Sequence, residues 1–313
     1  MRSRQRNPWR QLLASFLLLA PVAAPAGIID DVQAQVGQNH YAAAESRLRD
    51  YRARHGITPE YLEALSWAGR AAVAMKQWGQ ASGYARETRK LSEQLLTKQK
   101  LDSEAHLPIA LGAAYEVIAQ SMAATGQRKQ AITLLRGALA KYGETSIAAR
   151  LQKNLNLLTF VGRPAPSLET TQYLGPKPPA LASLKGSPVL LFFWAHWCGD
   201  CKAEVPIVTR LRQEFSRAGL VVIGPTQLYG YTAQEDNASP NREKMYIEAV
   251  RQRFYRSLMD MPVPVSKANF NTYGASTTPT LVLVDRAGNV AMYHPGAMPY
   301  EELRMAIEKV TTP

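Results

Sequence analysis

The hydrophobic pattern divides the chain into two halves with different periods. From about Asp30 to Leu158 apolar residues recur at helical spacing among Ala, Gln, Arg, Lys and Glu, and β-branched runs are absent, which predicts a series of helices. Breaks fall at His55-Gly56-Ile57-Thr58-Pro59, at Gln77-Trp78-Gly79, at Gly126-Gln127 and at Tyr142-Gly143. Thr58 followed by Pro59 reads as an N-cap and the first helical residue. Beyond Val161 the pattern changes. Val189 to Trp194, Gly219 to Gly224 and Thr280 to Asp285 are short apolar runs without polar alternation, as expected of strands buried on both faces. Val205, Val208, Leu211 and Phe215 predict a helix after the first strand. Glu243 to Leu258 predicts a second helix, with Arg251, Arg253 and Arg256 on a solvated face, and Tyr300 to Val310 a closing one. Tyr229 to Asn241 is polar and reads as a surface loop, while Arg286-Ala287-Gly288-Asn289 is a turn after which Val290 to Tyr293 returns antiparallel. The predicted order is strand, helix, strand, helix, strand, strand, helix.

In the helical half the clearest internal pattern is Tyr115-x2-Ile118-Ala119-x2-Met122-x8-Ala131-x3-Leu135-x2-Ala138. It is close to the tetratricopeptide pattern of paired antiparallel helices, with small residues where the helices approach. A weaker copy carries Leu65, Gly69, Ala72, Ala81 and Ala85. Ala81 and Ala131 lie 50 positions apart, rather than the ~34 of that repeat, so an insertion or a longer helix near Leu91 to Lys100 separates the units. Such a domain, a tandem array or a plain helical bundle, is expected to be a docking or oligomerisation surface.

Charge and the N-terminus add a location. The formal net charge of +12 includes four arginines and no acid in residues 1–26, and the remaining +8 is spread over the rest of the chain. No basic-aromatic platform is present, which argues against nucleic acid as a partner. Arg2, Arg4, Arg6 and Arg10 precede the apolar core Leu12 to Ala20, and Ala24-Pro25-Ala26 offers small residues for cleavage before Gly27. The expectation is a cleavable signal in residues 1–26, with an uncleaved membrane anchor as the alternative. Export of this bacterial type would deliver the chain to the periplasm, where disulfide chemistry persists.

The chemistry concentrates at Cys198-Gly199-Asp200-Cys201, the only two cysteines of the chain, at the handover from the first buried strand to its helix. A helix N-terminus favours a thiolate over a thiol. That makes Cys198 the better-placed nucleophile and puts Cys201 about one turn inside, within disulfide reach. A zinc site would need four ligands, and the five histidines show no H-x3-5-H pairing to complete one. Asp200 sets a negative charge between the cysteines, which disfavours the Cys198 thiolate and argues for a reductant, whereas His196 and the helix N-terminus act in the opposite direction.

Strand, CxxC and helix, with Phe193-Trp194-Ala195-His196-Trp197-Cys198-Gly199-Asp200-Cys201-Lys202-Ala203-Glu204-Val205-Pro206 and Thr277-Thr278-Pro279-Thr280-Leu281-Val282-Leu283-Val284-Asp285, resemble the TlpA/ResA-type periplasmic thiol–disulfide oxidoreductases. The resemblance covers roughly residues 161–313 and does not extend to the helical half. It implies an α/β thioredoxin fold in the C-terminal part, preceded by an all-α, helical-hairpin (TPR-like) domain. The boundaries expected are 1–26 for the signal, 27–158 for the helical domain and 159–313 for the thioredoxin-like domain. By resemblance, Cys198 matches the nucleophile, Cys201 the resolving thiol and Pro279 the cis-proline facing the disulfide. Thr278 would touch substrate, Glu204 would accept the Cys201 proton, Trp197 would shield the thiols and meet substrate, and Gly199, Asp200 and His196 would tune the potential. The family implies protein disulfides as substrates, a membrane-associated electron donor and no metal or organic cofactor. Two departures stand out: Phe192 occupies the place where many thioredoxins carry a buried aspartate, and Gly-Asp replaces Gly-Pro between the cysteines. A peroxiredoxin reading lacks its signature, which would need Pro at Leu191 and a hydroxyl at Ala195. A helical scaffold with a redox-sensing attachment remains the non-enzymatic alternative.

Overall fold

The computed structural model describes residues 27–311, so the expected signal segment lies outside the described residues. The helical half comprises α1 (Ile28–Gly37), α2 (Tyr41–His55), α3 (Pro59–Ala74), α4 (Trp78–Leu95), α5 (His106–Ala124), α6 (Arg128–Tyr142) and α7 (Ala148–Thr159). Helix α3 starts where the sequence signals it: the Thr58 side chain accepts the Tyr61 N–H at 3.2 Å with Pro59 in the first turn. Each helix packs on its sequence neighbour, and α1, α3, α5 and α7 pack successively on one another. Small residues mark the close approaches. Ala81, Ala119 and Ala131 are buried, and a Cβ on Gly69 would already touch Tyr84 and the Ala81 carbonyl. The segment between α4 and α5 holds a short 3-10 turn, Leu101–Ser103.

The second half follows as β1 (Tyr173–Leu174), β2 (Val189–Phe193), α8 (Gly199–Glu214), β3 (Val221–Ile223), α9 (Pro240–Phe254), β4 (Val263–Pro264), α10 (Lys267–Tyr273), β5 (Thr280–Val284), β6 (Val290–Pro295) and α11 (Tyr300–Thr311). The main sheet runs β3-β2-β5-β6, parallel between β2 and β3 and antiparallel elsewhere. All five residues of β2 are buried because alternate side chains enter two cores. Leu190 and Phe192 join α8, α9 and α11 through Val205, Val208, Leu211, Ile247, Val250, Leu303 and Ile307. Val189, Leu191 and Phe193 face the opposite side with Phe270 and Tyr273 of α10.

Three sequence expectations change. Helix α9 begins at Pro240 and ends at Phe254, and Arg256–Leu258 is a separate 3-10 turn. Arg251 is not solvated: it is 1 % exposed, donates to Glu248 at 2.6 Å and to the Met259 carbonyl at 2.9 Å, and lies against Gly175. The chain folds back here, so the stem of α9 is covered by the Tyr173–Gly175 segment. The small β1–β4 pair and α10 add to the predicted order.

The halves are knitted together. Phe160 packs edge-on against Tyr273 and Tyr293 in the sheet core, and Gly162 and Ala165 donate backbone hydrogen bonds to Val290 and Gly288. Asn156 of α7 donates to the Tyr273 carbonyl at 2.9 Å.

Candidate active site

The CxxC lies where β2 ends and α8 begins, as the apolar run followed by helical spacing predicts. Cys198 is the N-cap of α8, and its sulfur accepts the Cys201 N–H at 3.0 Å. The two cysteines are disulfide-bonded, with Cys198 3 % and Cys201 0 % exposed, so the first thiol is the one solvent reaches. The unpaired amides and the dipole of the first helical turn favour negative charge on Cys198 sulfur once the bond is opened. Gly199 and Asp200 are both exposed in that turn.

Sheet register brings the second motif to the same end. Phe193 pairs with Thr280, so Pro279 lies one residue beyond β5 where β2 runs on into Trp194 and the CxxC. The Thr278–Pro279 peptide bond is cis. Pro279 accepts the Gly296 N–H at 2.8 Å, and two residues on the Met298 N–H points to Glu204 Oε1 at 3.4 Å. The Gly296–Met298 segment thus spans from the proline to the glutamate, and Met298 packs in the same cluster as both cysteines. The Thr278 hydroxyl is buried there without a hydrogen-bond partner.

Glu204 is 2 % exposed, one turn along α8 from Cys201. Burial pushes its carboxyl above the usual range, the Met298 amide opposes that shift, and the charge of Asp200 adds to it. Phe192, at the place where many thioredoxins carry a buried aspartate, is fully buried in the apolar cluster with α8, its ring 6.3 Å from that of Tyr255. Glu204 is the buried acid that α8 supplies on the Cys201 side, whereas Asp200 is exposed.

His196 is placed differently from the expectation of a cationic neighbour to the thiols. It is 1 % exposed, and Nε2 lies 3.2 Å from Glu243 Oε1. The rings of Tyr229, Tyr231 and Tyr246 approach it edge-on at 5.5, 5.2 and 5.3 Å. Burial lowers its pKa against the pull of Glu243. Trp197 is 49 % exposed and meets the Tyr229 ring at 5.6 Å, so it forms a rim beside the disulfide rather than a full cover.

Sequence reading missed Glu243 and the role of the segment after β3. Tyr229 to Asn241 is not a simple surface loop. The residues just before it are tied to the site, the Trp194 N–H donating to the Pro225 carbonyl at 3.1 Å and the Thr226 hydroxyl to the Trp194 carbonyl at 2.8 Å. Tyr229 and Gly230 then donate their backbone N–H groups to the Glu243 carboxylate at 2.6 and 2.8 Å. The available signal was the Tyr-Gly-Tyr triplet at 229–231, apolar rings in an otherwise polar stretch.

Residues 179–311 match the thioredoxin-like domain family. Thiol-disulfide oxidoreductase ResA of Bacillus thuringiensis (strain Al Hakam) is 28% identical over 153 residues, covering 48% of this chain and 79% of that protein. Thioredoxin-like protein YneN of Bacillus subtilis (strain 168) is 26% identical over 148 residues, 47% of this chain and 78% of its own. Among solved structures, a thiol:disulfide interchange protein DsbE from Chlorobium tepidum aligns with 23% identity over 49% of this chain and 98% of that one, at a TM-score of 0.38. With a disulfide-bonded cysteine pair at the head of α8, the chain carries a thioredoxin-like domain in its C-terminal half, similar to that of relatives named thiol-disulfide oxidoreductases.

Proposed function

We propose that this protein is an exported reductase of protein disulfides. The observation that carries the reading is the placement of Cys198 as the N-cap of α8, disulfide-bonded to Cys201 and beside a buried carboxyl. In the reduced enzyme the Cys198 thiolate attacks one sulfur of a substrate disulfide. A Cys198–substrate disulfide forms, and the first substrate sulfur leaves as a thiolate that takes a proton from solvent. Cys201 then gives its proton to Glu204 and attacks the Cys198 sulfur, releasing the second substrate thiolate. Two electrons pass to the substrate, and the enzyme is left with the Cys198–Cys201 bond.

Pro279 and Thr278 receive the substrate backbone opposite the disulfide, with Trp197 as the adjoining rim. The charge pattern of residues 1–26 supports export to the periplasm. A dithiol that works in the reducing direction there must be re-reduced, and a membrane-associated electron donor fits that requirement. The helical half, residues 27–158 on our reading, is a TPR-like docking element for a protein partner, and 159–313 is the catalytic unit.

The test is reduction of insulin by dithiothreitol with and without the protein. Wild type accelerates precipitation of the freed chains, and the Cys198→Ser, Cys201→Ser double variant does not. Equal acceleration by the double variant would refute the reading.

A further inference from the structure

Trp197, the residue before Cys198 in the chain, is exposed and borders the approach to that sulfur. What lies beyond Trp197 is aromatic. Tyr229 abuts Trp197 at 5.6 Å, Tyr231 follows at 6.4 Å from Tyr229, and both are only partly buried. Behind them sits a built support. The Glu243 carboxylate, wholly buried, takes the backbone N–H groups of Tyr229 and Gly230 and faces His196, the residue before Trp197. Gly230 has φ +85°, a left-handed conformation that lets the two amides turn toward one carboxylate. Tyr229 also rests edge-on against Phe270 at 6.4 Å. The loop closes on itself through Ala238 N–H to the Gly230 carbonyl at 2.8 Å, and Glu235 pairs with Arg242 at 3.0 Å. This aromatic edge is thus fixed at its base, with Trp197 exposed and the two tyrosines partly so.

We propose that Tyr229 and Tyr231, with Trp197, form a specificity ledge that selects polypeptide disulfides whose cysteine is flanked by aromatic or large aliphatic residues, and that Glu243 is its positioning residue. This rests on the reductase reading above and names the substrate class for the same site. The ledge offers aromatic surface, most openly at Trp197, which suits stacking of an aromatic side chain. A disulfide flanked by glycine gains nothing from it.

The experiment uses the full chain and two disulfide-linked peptide probes of equal charge, one with tryptophan and leucine beside the cysteine and one with glycine in both places. The readout is the ratio of second-order exchange rates. Wild type favours the apolar-flanked peptide by roughly three- to tenfold, and Tyr229→Ala with Tyr231→Ala brings the ratio close to one. Glu243→Ala lowers the ratio in the same direction, and Glu243→Asp restores part of it. A wild-type ratio near one, or a ratio that the tyrosine substitutions leave in place, overturns the ledge alone. A wild type that exchanges with neither peptide overturns the reductase reading and the ledge together. Should Glu243→Ala fail to fold, the two tyrosine variants, whose rings are partly exposed, decide the matter.

Discussion

Glu204 has no cation paired with it among the described residues and one long amide contact, at 3.4 Å, for a nearly inaccessible carboxylate. A buried carboxyl in that setting favours its neutral form. The sign of the consequence follows from linkage. Its folded pKa is raised, so its contribution to stability is complete below the unfolded value and is lost as pH rises through the folded one. Glu204→Gln in the disulfide form should therefore melt a few degrees above wild type at pH 7, with the gap closing by pH 4, as scanning calorimetry would show. The same change should slow release of the mixed disulfide roughly 100-fold while leaving its formation intact. A variant less stable than wild type at pH 7 would mean that the fold stabilises the carboxylate rather than penalising it by burial. Glu204 was legible because it shares one helix with the cysteines. Glu243 was not, since its partner His196 and the amides of Tyr229 and Gly230 come together only when the chain returns after β3.

At the scale of elements, strands entering two cores were the most readable, because burial on both faces leaves no polar alternation. The β2 and β5 runs fall within a residue of the expected spans. Helix α10 was hidden by its seven-residue length, too short for a period, and β1 and β4 by having two residues each. Arg251 misled because its helix face is covered by a segment distant in sequence, which composition cannot reveal. The contact between α7 and α10 was equally unreadable, yet it is tight. Gly274, at φ +63°, ends α10, and a Cβ there would lie 2.6 Å from the Lys153 Cα. That neighbour is backbone and cannot step aside. Gly274→Ala should destabilise the junction of the two halves by roughly 2–4 kcal/mol. Chemical denaturation should show it, with limited proteolysis cutting near residues 160–166. Wild-type stability in that variant would show that the halves are not held by this contact.

For the whole molecule, the helical half is attached to the face of the sheet that carries α10, while the disulfide lies at the end of β2 and under α8. The contacts of the helical half with the second half run mainly through α7 and α10, and the proposed docking role of the helical half rests on that separation from the disulfide. How the two halves meet could not be read from a chain whose resemblance stops at residue 161. The division of labour between the two thiols is the claim on which the rest depends. It is tested by incubating the reduced Cys201→Ser protein with a protein disulfide and measuring the intact mass of the products. The account predicts a stable adduct linked through Cys198 and released by reductant, with little or none formed by Cys198→Ser. An adduct that accumulates on Cys198→Ser and is absent from Cys201→Ser would contradict it.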